Sequence, residues 1–189
     1  MITDKLKKGM LLLAEPSTLS DASFNRAVIL LADYNDEGSV GFILNKPLKH
    51  SLNDLIPEIN SSFVIYNGGP VEQDNLYFIH TVPELITGSI EISNGIYWGG
   101  NFELTKTLIN EDKIDKNNIR FFLGYTGWSV NQLEKELKIK TWVIINNDLQ
   151  TDLLKKSSTQ FWKEKIEELG GEYIIWSNAP ENPILNLFI

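Results

Sequence analysis

The stretch Ala27-Val-Ile-Leu-Leu-Ala-Asp-Tyr-Asn-Asp-Glu-Gly-Ser-Val-Gly-Phe-Ile-Leu-Asn45 places two apolar runs on either side of a polar turn. The first run, Ala27–Ala32, has the length and composition of a buried strand. The turn, 33–38, consists of residues that favour tight reversals of the chain, and Val40–Asn45 is apolar again. Residues 26–46 are therefore predicted to form an antiparallel hairpin.

Short apolar runs bounded by turn residues recur on both sides of this hairpin, whereas helical patterns are few. Because strict strand–helix alternation is absent, we predict an α+β fold with a largely antiparallel sheet, open to curling toward a barrel. Further strands are predicted at Met10–Glu15, Phe63–Tyr66, Leu76–Ile79, within Ser89–Trp98 around Asn94-Gly95, and at Arg120–Tyr125, Thr141–Ile145 and Tyr173–Trp176. Helices are predicted at Leu52–Ile56, Phe102–Asn110, Ser129–Lys138 and Ser157–Leu169, the last two begun by S-x-x-Q capping boxes.

Composition excludes several classes of protein. The 189 residues include no cysteine and two histidines, His50 and His80, so thiolate chemistry and multi-histidine metal sites are not expected. The net charge of −8 argues against nucleic-acid binding, which depends on cations that contact phosphates. No apolar run is long enough to span a membrane and the first residues do not resemble a signal peptide, so we expect a cytoplasmic protein. We expect one domain over 1–189, with 178–189 as a C-terminal tail.

Motifs for nucleotide binding and hydrolysis are also missing. The sequence has no G-x-G-x-x-G before a helix, no P-loop, no G-x-S-x-G and no H-E-x-x-H. We therefore assign no catalytic residue, no metal and no cofactor, and we leave open whether the chain is an enzyme while favouring that it is not.

Two glycine-rich segments are candidate ligand sites. In Gly124-Tyr-Thr-Gly127-Trp, a predicted strand ends and a capped helix follows, so free N–H groups at the helix start could hold an anion. The alternative is a tight turn that needs glycine, with Tyr125 and Trp128 in the core. Likewise, Asn67-Gly-Gly-Pro70 either brings backbone close to a ligand or makes a strand-to-strand turn.

Three polar residues have similar alternatives. His80 ends an apolar strand and is either a base or a hydrogen-bonded structural residue. Asp21 and Arg26 flank Phe24, which favours a structural ion pair over a catalytic acid beside an arginine. The candidate ligand site gathers residues from glycine-rich turns and strand ends: Asn45, Gly68, Gly69, His80, Tyr125, Gly127, Trp128 and Ser129.

Taken together, these motifs resemble the AlgH/YqgE family of bacterial proteins. No single block is specific, but their order and spacing over about residues 9–140 make the match strong. The matching blocks are Gly9-x-Leu-Leu-x-Ala-x-Pro16, Leu19-x-Asp-x-x-Phe-x-Arg-x-Val-Ile-Leu-Leu31, Asn35-x-x-Gly-x-x-Gly-Phe-Ile-Leu-Asn-Lys-Pro47, Tyr66-x-Gly-Gly-Pro-Val71, Phe78-x-His80 and Phe122-x-Gly-Tyr-x-Gly-Trp-x-x-x-Gln-Leu-Glu-x-Glu136.

The resemblance implies a branched, barrel-like antiparallel sheet with flanking helices, a cytosolic protein and a transcriptional-regulator label. It brings no established catalytic residues. Two positions depart from the family pattern. Lys46 stands where arginine is common, which would weaken a bidentate anion contact. Asn131 stands where glycine is common, so a backbone–ligand approach there is less expected.

Three functions remain open at this point. We rank highest a non-enzymatic binding or interaction protein, monomeric or weakly dimeric, with an indirect regulatory role and a protein or small molecule as partner. Next is an enzyme or small-ligand receptor that uses the residues around His80 and 124–128. Direct DNA binding ranks lowest, because no helix-turn-helix pattern or uncontested basic helix is present.

Overall fold

The computed structural model describes residues 6–18, 21–156 and 160–179, which form one ten-stranded sheet with helices packed around it. The strands are β1 (Leu11–Ala14), β2 (Val28–Asn35), β3 (Gly38–Ile43), β4 (Pro47–Ser51), β5 (Val64–Asn67), β6 (Val71–His80), β7 (Ile90–Ser93), β8 (Ile96–Trp98), β9 (Ile119–Trp128) and β10 (Trp142–Ile145). The helices are α1 (Leu52–Leu55), α2 (Phe102–Asn110), α3 (Gln132–Lys138), α4 (Phe161–Leu169) and α5 (Tyr173–Ser177), with 3-10 turns at Pro16–Thr18 and Gln150–Lys155.

The main path of the sheet runs in the order β10-β1-β2-β3-β9-β6-β8-β7, with every neighbouring pair antiparallel. Among the described residues β10 and β7 each have one partner, so the sheet is not closed. The predicted α+β class is confirmed. The predicted hairpin is confirmed as β2 and β3, which pair antiparallel with a bulge between Leu31 and Asp33.

The sheet branches at β9. The first half of β9 pairs in parallel with β5 and antiparallel with β6, whereas its end pairs with β3 through Gly41 opposite Thr126. Gly68, which follows β5, joins the branches: its N–H donates to the Leu123 carbonyl at 2.8 Å, and its own carbonyl accepts from Ile43 at 2.9 Å. Strand β5 and its partner β4 therefore leave the main path at this glycine.

Glycine is required at this branch because two backbones approach closely. A Cβ on Gly68 would lie 2.2 Å from the Gly124 carbonyl oxygen. A Cβ on Gly124, whose φ is +70°, would lie 2.7 Å from the carbonyl oxygens of Gly69 and Val71. The glycine-rich segments thus let two backbones approach closely, a role different from the turns and ligand contacts that were predicted for them.

The structure corrects the prediction for 124–138. Gly124–Trp128 is not a turn before a helix but the second half of β9, held extended by pairing with β3 as far as Trp128 opposite Ser39. Helix α3 begins at Gln132 rather than Ser129. Asn131 takes the N-cap position with a φ of 60°, a left-handed conformation that asparagine tolerates.

The predicted strand Tyr173–Trp176 is also wrong, since Tyr173–Ser177 is helix α5. A short apolar run does not distinguish a strand from a helix turn, and this segment pairs with no described strand. Helix α2 spans the predicted Phe102–Asn110, and α4 ends before Gly170 as predicted. The capping residue Ser157 and the apolar tail segment Ile184–Ile189 lie outside the described residues.

We predict that Gly124→Ala destabilises the protein far more than Gly99→Ala. Both glycines have a φ near +70°, but only Gly124 has atoms within reach of a new Cβ. The left-handed strain alone costs about 1 kcal/mol, and steric overlap adds about 2 kcal/mol at Gly124. Urea unfolding of both variants measures the difference, and equal losses would contradict the close-approach explanation.

Candidate functional site

His80, the candidate base, is fully buried and both of its ring nitrogens are hydrogen-bonded. The Val82 N–H donates to Nδ1 at 3.2 Å, so Nδ1 carries no proton and Nε2–H donates to the Gly99 carbonyl at 3.1 Å. Burial lowers the pKa of His80, and the ring stacks on Tyr97. The geometry is that of a neutral structural histidine.

His80 also lies away from the other candidates. It pairs with Ile119 at the start of β9, whereas Gly127 is eight positions farther along that strand, about 26 Å away. Asn45 lies apart from both His80 and Gly127, between the start of β2 and the end of β3. Its side chain accepts from the Val28 N–H and donates to the Arg26 carbonyl, both at 2.8 Å. The predicted residues therefore do not form one site.

The candidates at the end of β9 do line a common cavity of about 440 Å³. Tyr125, Gly127, Trp128 and Ser129 form one side of it, and the hairpin of β2 and β3 forms the other. Gly68 and Gly69 lie behind this strand, against the backbone of residues 124–126, and are not among the lining residues. Four of the eight residues of the predicted ligand site thus lie together at this cavity.

The side chains of Asp21 and Arg26 have different partners. Asp21 accepts from the backbone N–H groups of Ser23 and Phe24, which closes its own turn. The Arg26 guanidinium lies 5.2 Å from the centre of the Trp162 ring and donates to the Ala179 carbonyl. No salt bridge joins Asp21 to Arg26, both of which lie in the described part of the chain, so each stabilises a separate contact.

Lys46, one of the two departures from the family pattern, is bound to the same turn. Its Nζ donates to the carbonyls of Ala22 and Ser23 at 3.2 and 2.8 Å, and burial lowers its pKa. The ammonium group therefore closes a loop onto the end of β3. These carbonyl contacts account for a cation at position 46 without an anionic ligand.

Arg120 is a buried cation that the sequence analysis did not single out. Only 4% of it is exposed, and its guanidinium donates to the carbonyls of Leu44, Leu154 and Lys156. It also lies 4.7 Å from the centre of the Tyr66 ring. Two of the three carbonyls, those of Leu154 and Lys156, lie at the end of the 3-10 turn Gln150–Lys155, where partial negative charge favours a cation. Arg120 fastens this turn to the sheet.

A larger cavity, of about 810 Å³, follows the outer edge of β10. Its volume lies in the range of ligand-binding pockets. Strand β10 pairs with β1 alone among the described residues, so its other edge faces this cavity. The lining residues are Met10, Glu15, Leu137, Lys140, Trp142, Val143, Ile144, Ile145, Asn146, Asp148 and Tyr173. We call this cavity the β10 groove.

The hydrogen-bond register shows which backbone groups face the groove. Glu15 N–H donates to the carbonyl of Thr141, directly opposite it across the β1–β10 pair. Hydrogen-bonded positions alternate along an antiparallel strand, so Val143 and Ile145 also face β1. The N–H and C=O groups of Trp142 and Ile144 therefore point away from β1, into the groove.

Two helices form the walls of the β10 groove. Glu136 of α3 accepts from the indole N–H groups of Trp128 and Trp142, at 2.8 and 2.7 Å, which holds α3 over the face that carries Trp142. On α5, the Tyr173 hydroxyl donates to Glu15 at 2.9 Å. Because side chains alternate along a strand, Glu15 and Trp142 lie on opposite faces, so the open edge lies between α3 and α5.

Tyr173 contributes a hydroxyl group to the groove. Burial, together with the hydrogen bond to Glu15, raises the pKa of Tyr173 to about 12, so it stays a neutral donor at neutral pH. No group of three metal-ligating side chains occurs within the described ranges. None of the described helices is long and apolar enough to cross a membrane.

The β10 groove was not predicted from the sequence as a site. The strand Thr141–Ile145 was predicted, but nothing local shows that this strand lies at an edge or which helices flank it. That information resides in pairing between β1 and β10, more than a hundred residues apart in sequence. The one available signal was the apolar character of Val143, Ile144 and Ile145 without a polar alternation.

Comparisons with known proteins agree on one family. A family model described as AlgH-like matches residues 11–174. A UPF0301 protein of Bacteroides fragilis is 42% identical over 181 residues, which cover 95% of this chain and 91% of that protein.

Two solved structures share the fold. A Corynebacterium diphtheriae protein has a TM-score of 0.72 at 19% identity, with 93% of each chain covered. The solution structure of the AlgH protein from Pseudomonas aeruginosa has a TM-score of 0.69 at 22% identity. The match covers 91% of this chain and 93% of that one.

We predict that His80 makes stability depend on pH. In the unfolded chain a histidine titrates near pH 6.5, whereas burial lowers the pKa of folded His80. Below about pH 6.5 the unfolded chain binds more protons, so the free energy of unfolding falls as pH falls, by at most about 1.4 kcal/mol per pH unit. His80→Gln should reduce this dependence in urea unfolding between about pH 7.5 and 5.5. An unchanged slope would contradict the neutral structural role.

Proposed function

We propose that this chain, which belongs to the AlgH-like family, is a non-enzymatic binding protein that receives an extended apolar polypeptide segment in the β10 groove. The match to residues 11–174 confirms the family resemblance predicted from the motifs. The observation that carries the proposal is the open strand edge of β10, which lies between two helices along an 810 Å³ cavity.

The backbone supplies the recognition chemistry. An open edge presents N–H and C=O groups that an added strand can satisfy, and this mode of binding needs no particular side chain for affinity. At β10 these groups belong to Trp142 and Ile144. The partly buried side chains of Val143, Ile144 and Ile145 favour an apolar segment. Lys140 and Asp148 lie near opposite ends of the groove. Their opposite charges would favour one direction of the bound segment along β10.

The state of the buried polar residues supports a role without catalysis. A catalytic base or acid needs a polar atom that can reach a substrate. The ring nitrogens of His80, the amide of Asn45 and the guanidinium of Arg120 instead bond to backbone groups of the same chain. These residues therefore have a structural role, since their side chains stabilise the fold through contacts with its backbone.

A small-ligand receptor is a second candidate, supported by the 440 Å³ cavity beside Tyr125 and Gly127. The carboxylates of Asp33 and Glu37 lie at this cavity and would favour a cationic or hydroxyl-rich ligand. A thermal-shift screen with metabolites tests it, because a ligand at 100 times its Kd adds about 2.7 kcal/mol of stability. A hit that Gly127→Val abolishes would favour this cavity.

We further propose a cytoplasmic protein whose regulatory effects pass through a protein partner. The net charge of −8 supports this over direct contact with DNA. Binding to DNA with a steep salt dependence would overturn this part of the proposal.

The β10 groove is tested by blocking its backbone edge. Ile144→Pro removes an N–H that points away from β1, a change that edge strands tolerate, whereas Ile144→Ala shortens the side chain and keeps the N–H. The probe is a fluorescein-labelled nonapeptide of alternating valine and threonine, followed by fluorescence anisotropy. We expect Ile144→Pro to weaken binding at least about tenfold and Ile144→Ala to weaken it less.

Two controls make this experiment decisive. A probe with proline at its centre cannot form a continuous strand and is expected not to bind. Urea unfolding of both variants shows that the fold is retained. Absence of probe binding to the wild-type chain, or equal binding to wild type and Ile144→Pro, would contradict the proposed function.

A further inference from the structure

We propose that the β10 groove binds the β10 strand of a second copy of this chain, so that two copies associate about a twofold axis at Ile144. This inference rests on the proposed function, because it names a partner for the same groove. Four features of the groove carry it: its outward backbone groups, its side chains, the position of its helical walls and the charges at its two ends.

The outward backbone groups of β10 suit pairing with an identical strand. The N–H and C=O groups of Trp142 and Ile144 point away from β1, and Asn146 is the next position in the same alternation. When two antiparallel copies meet with Ile144 opposite Ile144, these two residues exchange both of their backbone hydrogen bonds. Trp142 of each copy then lies opposite Asn146 of the other, so every outward donor meets an acceptor.

The side chains of β10 also suit a copy of themselves. Val143, Ile144 and Ile145 line the groove and are only partly buried. In an antiparallel pair centred on Ile144, this residue lies opposite its own counterpart, and Val143 lies opposite Ile145. Because β-branched side chains pack well across neighbouring strands, the contact would remove apolar surface from water.

The helical walls favour the antiparallel direction. Helix α3 contacts Trp142 through Glu136. Helix α5 contacts Glu15 through Tyr173, beside the same end of β10. A twofold axis at Ile144 places α3 and α5 of the second copy at the other end of the groove. The helices of the two copies are then offset along the strands, whereas a parallel copy would bring them to the same end.

The charges at the two ends of the groove select this register. Lys140 and Asp148 line the groove, are exposed and lie equally far in sequence on either side of Ile144. In an antiparallel pair centred on Ile144, Lys140 of each copy therefore lies opposite Asp148 of the other. A register shifted by two residues would lose both of these contacts. Complementary charges of this kind fix the register of a contact more than they add to its affinity.

Sedimentation velocity of the full chain tests the association between about 10 µM and 1 mM, a range that suits the weak dimer expected of a short strand contact. We expect the weight-average sedimentation coefficient of the wild type to rise with concentration. Ile144→Pro, which removes the central N–H, should weaken dimerisation at least about tenfold. Urea unfolding shows that this variant keeps its fold.

Amide hydrogen exchange followed by NMR locates the contact on the same samples. The Trp142 and Ile144 amides should exchange more slowly at the highest concentration than at the lowest, because only the dimer covers them. The Val143 and Ile145 amides, which face β1, should not change with concentration. Protection of the Trp142 and Ile144 amides that is equal at all concentrations would mean a different occupant and would overturn the proposal.

Reversal of the charges at the two ends tests the register. Lys140→Asp and Asp148→Lys each place like charges at both contacts, so each variant alone should dimerise about tenfold more weakly than the wild type. Aspartate also tolerates the φ of 57° at position 140. An equimolar mixture of the two variants restores opposite charges at both contacts and should associate to within about threefold of the wild type. Lys116→Asp is the matched control, since it makes the same charge change at an exposed position outside the groove.

Several results would overturn this inference. A wild-type chain that sediments as a monomer over the whole range, or an Ile144→Pro variant that associates like the wild type, excludes the second copy as the partner. Charge variants that associate like the wild type, or that stay weakened when mixed, exclude the pairing centred on Ile144.

The valine–threonine probe separates this inference from the proposed function. Its binding is measured at about 1 µM protein, where a weak dimer is dissociated. Probe binding by a chain that stays monomeric at high concentration leaves the proposed function standing and removes only the second copy. Dimerisation without probe binding contradicts the proposed function instead, because the groove then accepts no segment other than its own copy.

Discussion

The close approach of two backbones at Gly124 is the constraint on which this structure depends. Strand β9 supports β3, β5 and β6, and three partners fit along one strand only because β3 and β5 follow one another on the same edge. Gly68 fills the junction, where its backbone bonds to both neighbours. A side chain at either glycine would separate the branches and with them the two hydrophobic cores that flank the sheet.

Buried polar groups stabilise the same arrangement. Asn45 substitutes for a missing stretch of ladder at the start of β2, His80 holds the 80–82 turn to Gly99, and Arg120 holds the Gln150–Lys155 turn to the sheet. Burial of each of these side chains without hydrogen-bond partners would destabilise the protein, and each of them has such partners. Polar residues that suggest catalysis or ligand binding in the sequence therefore have a structural role here, because they form hydrogen bonds with backbone atoms.

Local patterns predicted most elements, because apolar runs and turn residues act over a few positions. The 26–46 hairpin and helix Phe102–Asn110 follow from such patterns. The errors at Gly124–Trp128 and Tyr173–Trp176 have a shared cause: whether a segment is extended depends on pairing with strands distant in sequence, which a short local pattern does not show. The β10 groove was missed for the same reason, whereas the candidate residues that line the 440 Å³ cavity, Tyr125, Gly127, Trp128 and Ser129, lie close together in sequence.

Strand β1 joins the earliest and latest parts of the sheet, with β2 on one edge and β10 on the other. During synthesis on the ribosome β2 follows β1 at once, but β10 emerges only after most of the chain. The apolar segment Leu11–Ala14 therefore keeps one edge open until β10 is synthesised, and long-range pairing of this kind forms slowly. Until residues 142–145 arrive, the nascent chain presents an unpaired apolar strand edge, which is prone to aggregation.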